Sequence, residues 1–246
     1  MRVLITGHRG YIGSHLFHQM NADGCDLKDG QDFGDIRGQD FDTVVHLAAV
    51  ASVMQSLRDP EECFRNNVVK LASFLRWNQV RRLVFVSTGG AIYGNKHHAR
   101  EEDASWVGCI SPYGQSKYLA EQVVRALHSN YMILRLANVV GGDDTGRAEI
   151  LAHRHFREDN PIVVYGGAQI RDFVSIDVVC HAILRAVKSL SIGTFNIGSG
   201  EETRVAEIAQ QYADARNVPL VYEPSRAGEI EIISLDSARA QKEGLL

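Results

Sequence analysis

The sequence predicts an α/β protein in which a parallel sheet is covered by helices on both faces. Short β-branched runs alternate along the chain with longer segments of helical period, which is the pattern of a parallel sheet with helical crossovers. A glycine-rich turn, TGHRGYIGSH at residues 6–15, joins the first such run to the first helical segment. That order of strand, glycine turn and helix is typical of doubly wound sheets. The fold class is therefore a doubly wound parallel sheet.

Each predicted element follows from its local pattern. Strands are predicted where β-branched and large apolar residues follow one another, at residues 3–5, 43–47, 83–86, 132–134 and 162–165. Helices are predicted where apolar residues recur every three or four positions, at residues 11–20, 60–78, 111–129, 148–158 and from residue 177 onward. After residue 140 the pattern loosens. We therefore expect a small, discontinuous C-terminal substrate lobe, residues 138–170 plus 199–246, on a main domain of residues 1–137 plus 171–198.

The composition excludes several classes of function. The 246 residues are 45% apolar and 23% charged with a net charge of −4, which argues against binding to nucleic acid or to a membrane surface. The four cysteines lie far apart, so free thiols are expected and no metal site is predicted. No apolar run approaches the roughly 20 residues that span a bilayer. The N-terminus has no signal-peptide pattern, and we expect a cytoplasmic protein.

The glycine turn predicts a dinucleotide site. Gly7, Gly10 and Gly13 have the spacing of a tight strand-to-helix turn, in which backbone N–H groups face a pyrophosphate and the missing side chains allow its close approach. An acid about 20 residues further on should bind the adenosine ribose, and Asp26 occupies that place. This reading makes the main domain a Rossmann-type fold.

The same region leaves the choice of dinucleotide open. Asp26 favours NAD, whereas Arg9 within the glycine turn is able to meet the 2′-phosphate of NADP. Asp35 and Ile36 are expected to flank the adenine, and Asp29 is taken as an exposed loop residue. We favour NAD and keep NADP as the alternative.

A second motif predicts acid–base chemistry. Tyr113 and Lys117 lie four residues apart at the start of a predicted helix, behind Ser111 as N-cap and Pro112 at its first position. Residues at i and i+4 share a helix face. A nearby ammonium and the nicotinamide cation favour phenolate and so lower the pKa of a tyrosine. We predict that Tyr113 is the general acid/base, that Lys117 lowers its pKa, and that Lys117 also binds the nicotinamide ribose.

These motifs together resemble a known family. The chain is similar to the extended short-chain dehydrogenases/reductases, and in particular to the NAD-dependent nucleotide-sugar epimerase/dehydratase family. The resemblance rests on nine short blocks in the family's order, which are TGHRGYIGSH, HLAA, VSTGGAIYG, YGQSK, RLANVVG, VVYG, RDFVSIDV, NIGSGEET and RAGE. It covers nearly the whole chain, although residues 20–43 are shorter than the family pattern.

The resemblance implies roles for further residues. At the end of the fourth strand it implies Thr88 as the catalytic hydroxyl, with Ser87 as runner-up, because Gly89 stands where part of the family has a serine. The implied cofactor contacts are Gly7, Arg9, Gly10, Tyr11, Ile12, Gly13, Asp26, Asp35, Ile36, Leu47, Ala48, Ala49, Asn67, Ser87, Tyr113 and Lys117. The implied substrate contacts are Thr88, Tyr93, Asn138, Tyr165, Arg171, Arg226, Glu229 and Ile233. Tyr93 is equally consistent with a core position. Ile233, as a medium-sized residue beside the sugar, is expected to leave room for an N-acetyl group.

The implied reaction is inversion at the sugar C4 of a nucleotide diphosphate sugar, through a 4-keto intermediate and with NAD as internal redox partner. An NADPH-dependent epimerase-reductase is the first alternative. A 4,6-dehydratase ranks lower because no Asp-Glu pair follows Thr88, and a non-catalytic dinucleotide-binding scaffold ranks last. A homodimer is expected, formed through the predicted helices at residues 60–78 and 112–129.

Overall fold

The computed structural model describes residues 1–141, 161–225 and 229–246. Its strands are β1 (Val3–Thr6), β2 (Asp23–Cys25), β3 (Asp40–His46), β4 (Gln79–Thr88), β5 (Lys96–Ala99), β6 (Tyr131–Leu136), β7 (Asn138–Val140), β8 (Ile162–Tyr165), β9 (Ile170–Arg171), β10 (Phe173–Ser175), β11 (Gly193–Ile197), β12 (Thr203–Arg204), β13 (Leu220–Glu223) and β14 (Ile232–Leu235). Its α-helices are α1 (Tyr11–Phe17), α2 (Val53–Arg58), α3 (Pro60–Phe64), α4 (Lys70–Trp77), α5 (Pro112–Leu127), α6 (Ile176–Lys188), α7 (Val205–Arg216) and α8 (Ala238–Lys242).

The predicted doubly wound sheet is confirmed. Six strands lie in the order β11-β6-β4-β3-β1-β2, and every neighbouring pair is parallel. The order reverses between β1 and β3, so the carboxyl ends of these two strands border the crevice where such sheets bind ligands.

Both faces of the sheet are covered. On one face, Ile5, Val84 and Leu134 pack with residues of α1 and α6. On the other face, Leu83 and Phe85 pack with residues of α4 and α5. The alternation of buried side chains along each strand thus fills two core layers at once, which is why the strands read as nearly continuous apolar runs.

The smaller elements cluster at the carboxyl edge of the main sheet. Strands β12, β9, β14 and β5 form a four-stranded sheet, and two parallel pairs, β10 with β7 and β13 with β8, flank it. Strand β5 (residues 96–99) belongs by sequence to the main domain but pairs with β14 from the predicted small lobe. The division into two lobes at the predicted boundaries stays a prediction.

One helix differs from its predicted form. The single helix expected at residues 60–78 is α3 and α4 joined by a π turn over Arg65–Val69. The chain between β2 and β3, where no helix is predicted, contains two 3-10 turns, Leu27–Asp29 and Phe33–Asp35. The predicted helix at residues 148–158 lies outside the described residues. In the described parts of the chain, no helix is long and apolar enough to cross a bilayer.

Helix α5 begins as its sequence predicts. The Ser111 side chain accepts a hydrogen bond from the backbone N–H of Gly114 at 3.2 Å, and Pro112 is the first helical residue. A serine cap of this kind stabilises a helix by about 1 kcal/mol. The cap fixes where the helix starts, and it thereby fixes which side of the helix carries Tyr113.

Candidate active site

The glycine turn has the geometry that a dinucleotide needs. Gly7 has φ +74°, and a Cβ on it would lie 2.8 Å from the backbone nitrogen of Ala48. A Cβ on Gly13 would collide with the carbonyl oxygen of Gly7. Glycine is therefore required at both positions, for the turn and for the close approach of α1 to β1. The residues present fit a bound dinucleotide phosphate, which would lie at the N-terminus of α1.

Asp26 lies beside the glycine turn as predicted. Its carboxylate accepts hydrogen bonds from the backbone N–H of Arg9 at 3.0 Å and from that of Lys28 at 2.9 Å. The end of β2 is therefore tied to the turn that follows β1. The predicted contact of Asp26 with the adenosine ribose stays a prediction.

Asp29 is exposed, as predicted, but it also pairs with two residues of the glycine turn, which the sequence did not indicate. The Arg9 guanidinium donates to one of its oxygens, and Nε2 of His8 lies 3.1 Å from the other. The hydrogen bond and charge of Asp29 raise the pKa of Arg9. With Asp26 and Asp29 both close to Arg9, a further anionic group there is disfavoured, which supports NAD over NADP.

The adenine residues border a cavity. Asp35 and Ile36 line a space of about 660 Å³ together with Gly24, Cys25 and Asp32, beside the edge strand β2. The adenine role of Asp35 and Ile36 stays a prediction.

The HLAA segment continues β3 into the crevice. His46 is buried, its Nδ1 lies 2.9 Å from the Thr6 hydroxyl, and burial, followed by the charge of Lys117, lowers its pKa to about 3. The backbone N–H of Leu47 donates to the carbonyl of Thr6 at 3.1 Å, and that of Ala48 to its hydroxyl at 3.3 Å. Ala49, next in line, is exposed. The neutral imidazole thus holds the strand ends together.

Asn67 fixes the backbone at Val50, which follows the HLAA segment. Its side chain accepts from the backbone N–H of Val50 at 2.8 Å and donates to the carbonyl of Val50 at 3.1 Å and to the Ser116 hydroxyl at 2.9 Å. It is 2% exposed. The structure therefore gives Asn67 a positioning task between β3 and α5, and its predicted contact with the cofactor stays a prediction.

Tyr113 and Thr88 are brought together. A hydrogen bond joins their side chains, and it acts to lower the pKa of Tyr113. Burial is the larger effect and raises that pKa to about 12. The backbone N–H of Tyr113 donates to the hydroxyl of the fully buried Ser56 at 3.1 Å. The phenol is thus held in place at the carboxyl end of β4.

Lys117 contacts the end of β4. Its ammonium donates to the carbonyl of Val86 at 2.8 Å and lies 4.2 Å from the centre of the Phe85 ring. Burial lowers the pKa of Lys117 to about 8. Burial, Thr88 and Cys63 shift the pKa of Tyr113, and the lowering of that pKa by Lys117 stays a prediction.

Gly89 follows Thr88 at the end of β4. A Cβ on Gly89 would lie 2.7 Å from the Leu235 side chain of β14, and its backbone N–H is bonded to the carbonyl of Leu136 at 2.7 Å. A serine at this position would have to displace the end of the Leu235 side chain. The catalytic role of Thr88 stays a prediction.

Ser87 and Tyr93 belong to a buried polar network below the site. The Ser87 hydroxyl donates to Glu121 at 2.7 Å. The Tyr93 hydroxyl donates to Asn196 at 2.5 Å and accepts from Arg135 at 2.9 Å. Both residues are 5% exposed. Of the two predicted positions for Tyr93, the structure supports the core, and Ser87 faces the network instead of the crevice.

Four of the predicted substrate residues, Asn138, Tyr165, Arg171 and Ile233, lie on β7, β8, β9 and β14 respectively. The Asn138 side chain donates to the carbonyl of Asp172 at 3.2 Å. The Arg171 guanidinium donates to the carbonyls of Ile230 and Ile170 at 2.5 and 2.9 Å, and lies 3.9 Å from Glu229. Arg171 and Glu229 therefore lie close together, and their predicted contacts with a substrate stay predictions. Arg226 falls outside the described residues.

Ile233 and Tyr165 have opposite surroundings. Ile233 is 2% exposed and belongs to the main core, so it does not face an open sugar pocket and the expectation of room for an N-acetyl group is corrected. Tyr165 at the end of β8 is 37% exposed, and its predicted role against the nucleotide base stays a prediction.

The pair of Glu121 and Arg135 was missed by the sequence analysis. Glu121 lies one turn beyond Lys117, and its carboxylate binds Arg135 through two hydrogen bonds of 2.9 and 2.7 Å. The sequence did contain an indication of the position of Glu121. A glutamate at i+8 from Tyr113 continues the helix face that carries Tyr113 and Lys117 toward the core.

The comparisons with known proteins agree with this geometry. The model of the NAD dependent epimerase/dehydratase family matches residues 3–198. The chain belongs to this family.

Relatives of known activity cover nearly the whole chain. UDP-glucose 4-epimerase from Mycolicibacterium smegmatis is 30% identical over 98% of this chain and 92% of its own length. That alignment spans 287 positions although the chain has 246 residues. The relative is therefore longer within the aligned region, in line with the short β2–β3 connection.

Solved structures show the same fold. UDP-glucose 4-epimerase from Thermotoga maritima, in complex with UDP-glucose, is 28% identical to this chain with a TM-score of 0.84. The superposition covers 99% of this chain and 93% of the Thermotoga chain. UDP-glucose 4-epimerase from Thermus thermophilus, in complex with NAD, is 26% identical to this chain with a TM-score of 0.83. The superposition covers 100% of this chain and 94% of the Thermus chain.

Proposed function

We propose that this protein is an NAD-dependent 4-epimerase of a nucleotide diphosphate sugar. The observation that carries the proposal is the hydrogen bond between Thr88 and Tyr113 at the carboxyl end of β4, with the Lys117 ammonium on the same helix face and the glycine turn on the neighbouring strand. These are the groups that proton removal and hydride transfer at one carbon require.

In the proposed reaction, Thr88 binds the sugar C4 hydroxyl and Tyr113 takes its proton. NAD, which the glycine turn and Asp26 would hold, would supply the hydride chemistry at C4. Tyr113 would give the proton back to the same oxygen once the sugar has turned within the site, so that C4 is inverted. No net oxidation results, and the protein contributes position and proton transfer.

The substrate assignment is supported by Arg171 and Glu229. A guanidinium matches the geometry of phosphate oxygens, and Arg171 lies on β9 next to β14 in the small sheet. Glu229 accepts from the Gln169 side chain at 3.1 Å and is available to meet a ribose hydroxyl. The relatives act on UDP sugars, and we propose a UDP sugar as the substrate here.

The test is incubation of the purified protein with UDP-glucose, UDP-galactose, UDP-N-acetylglucosamine and UDP-glucuronic acid, followed by proton NMR of the sugars. Interconversion at C4 without added cofactor is expected. Net consumption of added NADPH would instead support the epimerase-reductase, and failure of the whole panel, with NAD retained, would support the scaffold.

A homodimer and a cytoplasmic location remain predictions. Val69, Trp77 and Leu127 on the predicted interface helices are 60%, 55% and 53% exposed, which supports contact with a second copy. Sedimentation of the purified protein tests the dimer.

A further inference from the structure

Three consecutive turns of α5 hold the last three residues of β4. The Tyr113 side chain is hydrogen-bonded to Thr88, the Lys117 ammonium donates to the carbonyl of Val86 at 2.8 Å, and the Glu121 carboxylate accepts from Ser87 at 2.7 Å. Only the first of these contacts involves the reacting groups. The other two set where the strand end lies relative to the helix.

The Glu121 carboxylate is itself held from three sides. It is fully buried, and it accepts two hydrogen bonds from Arg135, one from Ser87 and one from Arg125 at 3.0 Å. Burial acts to raise the pKa of Glu121, but the hydrogen bonds and charge of Arg135, with Ser87 and Arg125, outweigh burial and lower it. The carboxylate is therefore ionised in the folded protein.

The partners of Glu121 lie in one row across the sheet. Ser87 on β4 pairs in register with Arg135 on β6, which pairs with Asn196 on β11. These three residues point to the face covered by α5. A buried, fully hydrogen-bonded row of this kind permits one arrangement of strand and helix, because any shift leaves a buried polar group without its partner.

Glu121 and Lys117 are both buried and lie one helical turn apart on the same face of α5. The groups that act electrostatically on this ammonium are Glu121 on its own helix and Cys63 on α3, and the nearby His46 on β3 is neutral at physiological pH. Glu121 is the ionised acid among them. It opposes the loss of the proton that burial of Lys117 favours.

We propose that Glu121 is a positioning residue for the epimerase reaction, which holds the end of β4 through Ser87 and keeps the buried Lys117 in its ammonium form. The inference rests on the proposed function only for its effect on turnover. Its effect on Lys117 exists whether or not the protein turns over a sugar.

The first experiment reads Lys117 directly. The chain contains six lysines, so 13C labelling of the lysine ε-carbon gives a small set of NMR signals, and Lys117→Met assigns the one of interest. In the Glu121→Gln variant we expect the titration midpoint of Lys117 to fall by at least about 0.5 pH unit. An unchanged midpoint overturns the proposal.

The second experiment reads turnover of the holoenzyme. In Glu121→Gln we expect kcat to fall by ~10–100-fold with KM within ~3-fold, since positioning acts on the transition state and not on ground-state binding. The alkaline limb of the pH profile should move to lower pH, which a general loss of packing does not cause. Gln122→Ala, at an exposed position of the same helix that leaves Ser87, Arg125 and Arg135 in place, is the control and should keep kcat within ~2-fold.

Ser87→Ala covers the case in which Glu121→Gln does not fold. It removes one hydroxyl and leaves the Glu121–Arg135 pair, and we expect kcat to fall by ~3–10-fold with the Lys117 midpoint unchanged. A wild-type kcat in Ser87→Ala overturns the proposal. If Glu121→Gln does fold, the double variant should be no slower than Glu121→Gln alone, and an additive loss would show that Ser87 acts separately. If the wild type interconverts no sugar, the proposed function fails, while the Lys117 titration still decides the role of Glu121.

Discussion

The cofactor side and the substrate side of the crevice are built differently. On the cofactor side, Tyr113, Thr88 and Lys117 are fixed by contacts between buried elements, and each has a partner on another element of the core. On the substrate side, Arg171 is satisfied by carbonyl groups of residues 230–231 and its own strand, in a sheet of short strands. The first arrangement is preorganised for one chemical step, whereas the second is able to exchange carbonyl partners for a ligand.

The largest effect is expected on the cofactor side. Tyr113→Phe removes the hydroxyl that carries the proton, and kcat should fall by ~10²–10⁴-fold. Because only one oxygen is lost, NAD content and the melting temperature should stay close to wild type. NMR of UDP-glucose turnover measures kcat, and NAD released on denaturation measures the NAD content. A kcat within ~10-fold of wild type would mean that another group moves the proton.

On the substrate side, we expect a substitution to change KM more than kcat. Arg171→Met is expected to raise KM for a UDP sugar by ~10–100-fold with a smaller change in kcat, since a phosphate contact acts equally on ground and transition states. Arg100→Met is the control, because Arg100 forms an exposed ion pair with Asp236 at 3.3 Å. Equal KM values in the two variants would place the phosphates elsewhere.

Lys117 offers a way to separate catalysis from stability. Lys117→Met should abolish most turnover yet increase the free energy of unfolding at pH 7 by about 1–2 kcal/mol, because a buried charge is replaced by an apolar chain of similar length. The pKa of Lys117 is lowered from 10.5 to about 8 in the folded protein. Below pH 8 both states hold the proton and the full cost of the buried charge is present in the wild type.

The same pKa fixes the pH dependence of that difference. Between pH 8 and 10.5 the unfolded chain binds more protons at this residue than the folded one, so wild-type stability rises with pH and the advantage of Lys117→Met shrinks. Urea unfolding at pH 7 and pH 10 measures it. An advantage that grows with pH would contradict the assignment.

The smallest effect is expected at the glycine turn. Asp29→Asn removes one of the two carboxylates near Arg9 and should improve NADP binding relative to NAD by ~3–10-fold. Asp23→Asn is a matched control, since Asp23 pairs with the exposed Arg2 at 3.1 Å away from the turn. Cofactor titration by fluorescence compares them. An unchanged ratio would show that Arg9 does not approach the 2′-position.

The features that the sequence predicted well depend on local rules. The start of α5 follows from Ser111 and Pro112, and the glycine turn follows from steric limits at Gly7 and Gly13. Strand β8 was predicted with its exact bounds, because a continuous apolar run ended at a glycine. These rules need no knowledge of distant parts of the chain.

The misplaced features depend on contacts far apart in sequence. The sequence predicts Ile233 to be a pocket residue, but the pairing of β14 with β5 and β9 buries it in the core. Asp29 is exposed as predicted, but its pairing with His8 and Arg9 could not be predicted from local spacing. Glu121 reads as a surface glutamate until β6 brings Arg135 below the helix. Such contacts between distant residues cannot be predicted from the spacing of residues along the chain.

The π turn over Arg65–Val69 has a consequence for how this chain tolerates length changes. One extra residue in that turn directs Asn67 inward, where it binds both the segment after β3 and α5. Deleting one residue there would give a more regular helix, but it would rotate the preceding turns by about 100° relative to α4. Loop insertions elsewhere are tolerated more readily, whereas a shortened chain at this point would be expected to fold and to lose the shape of its crevice.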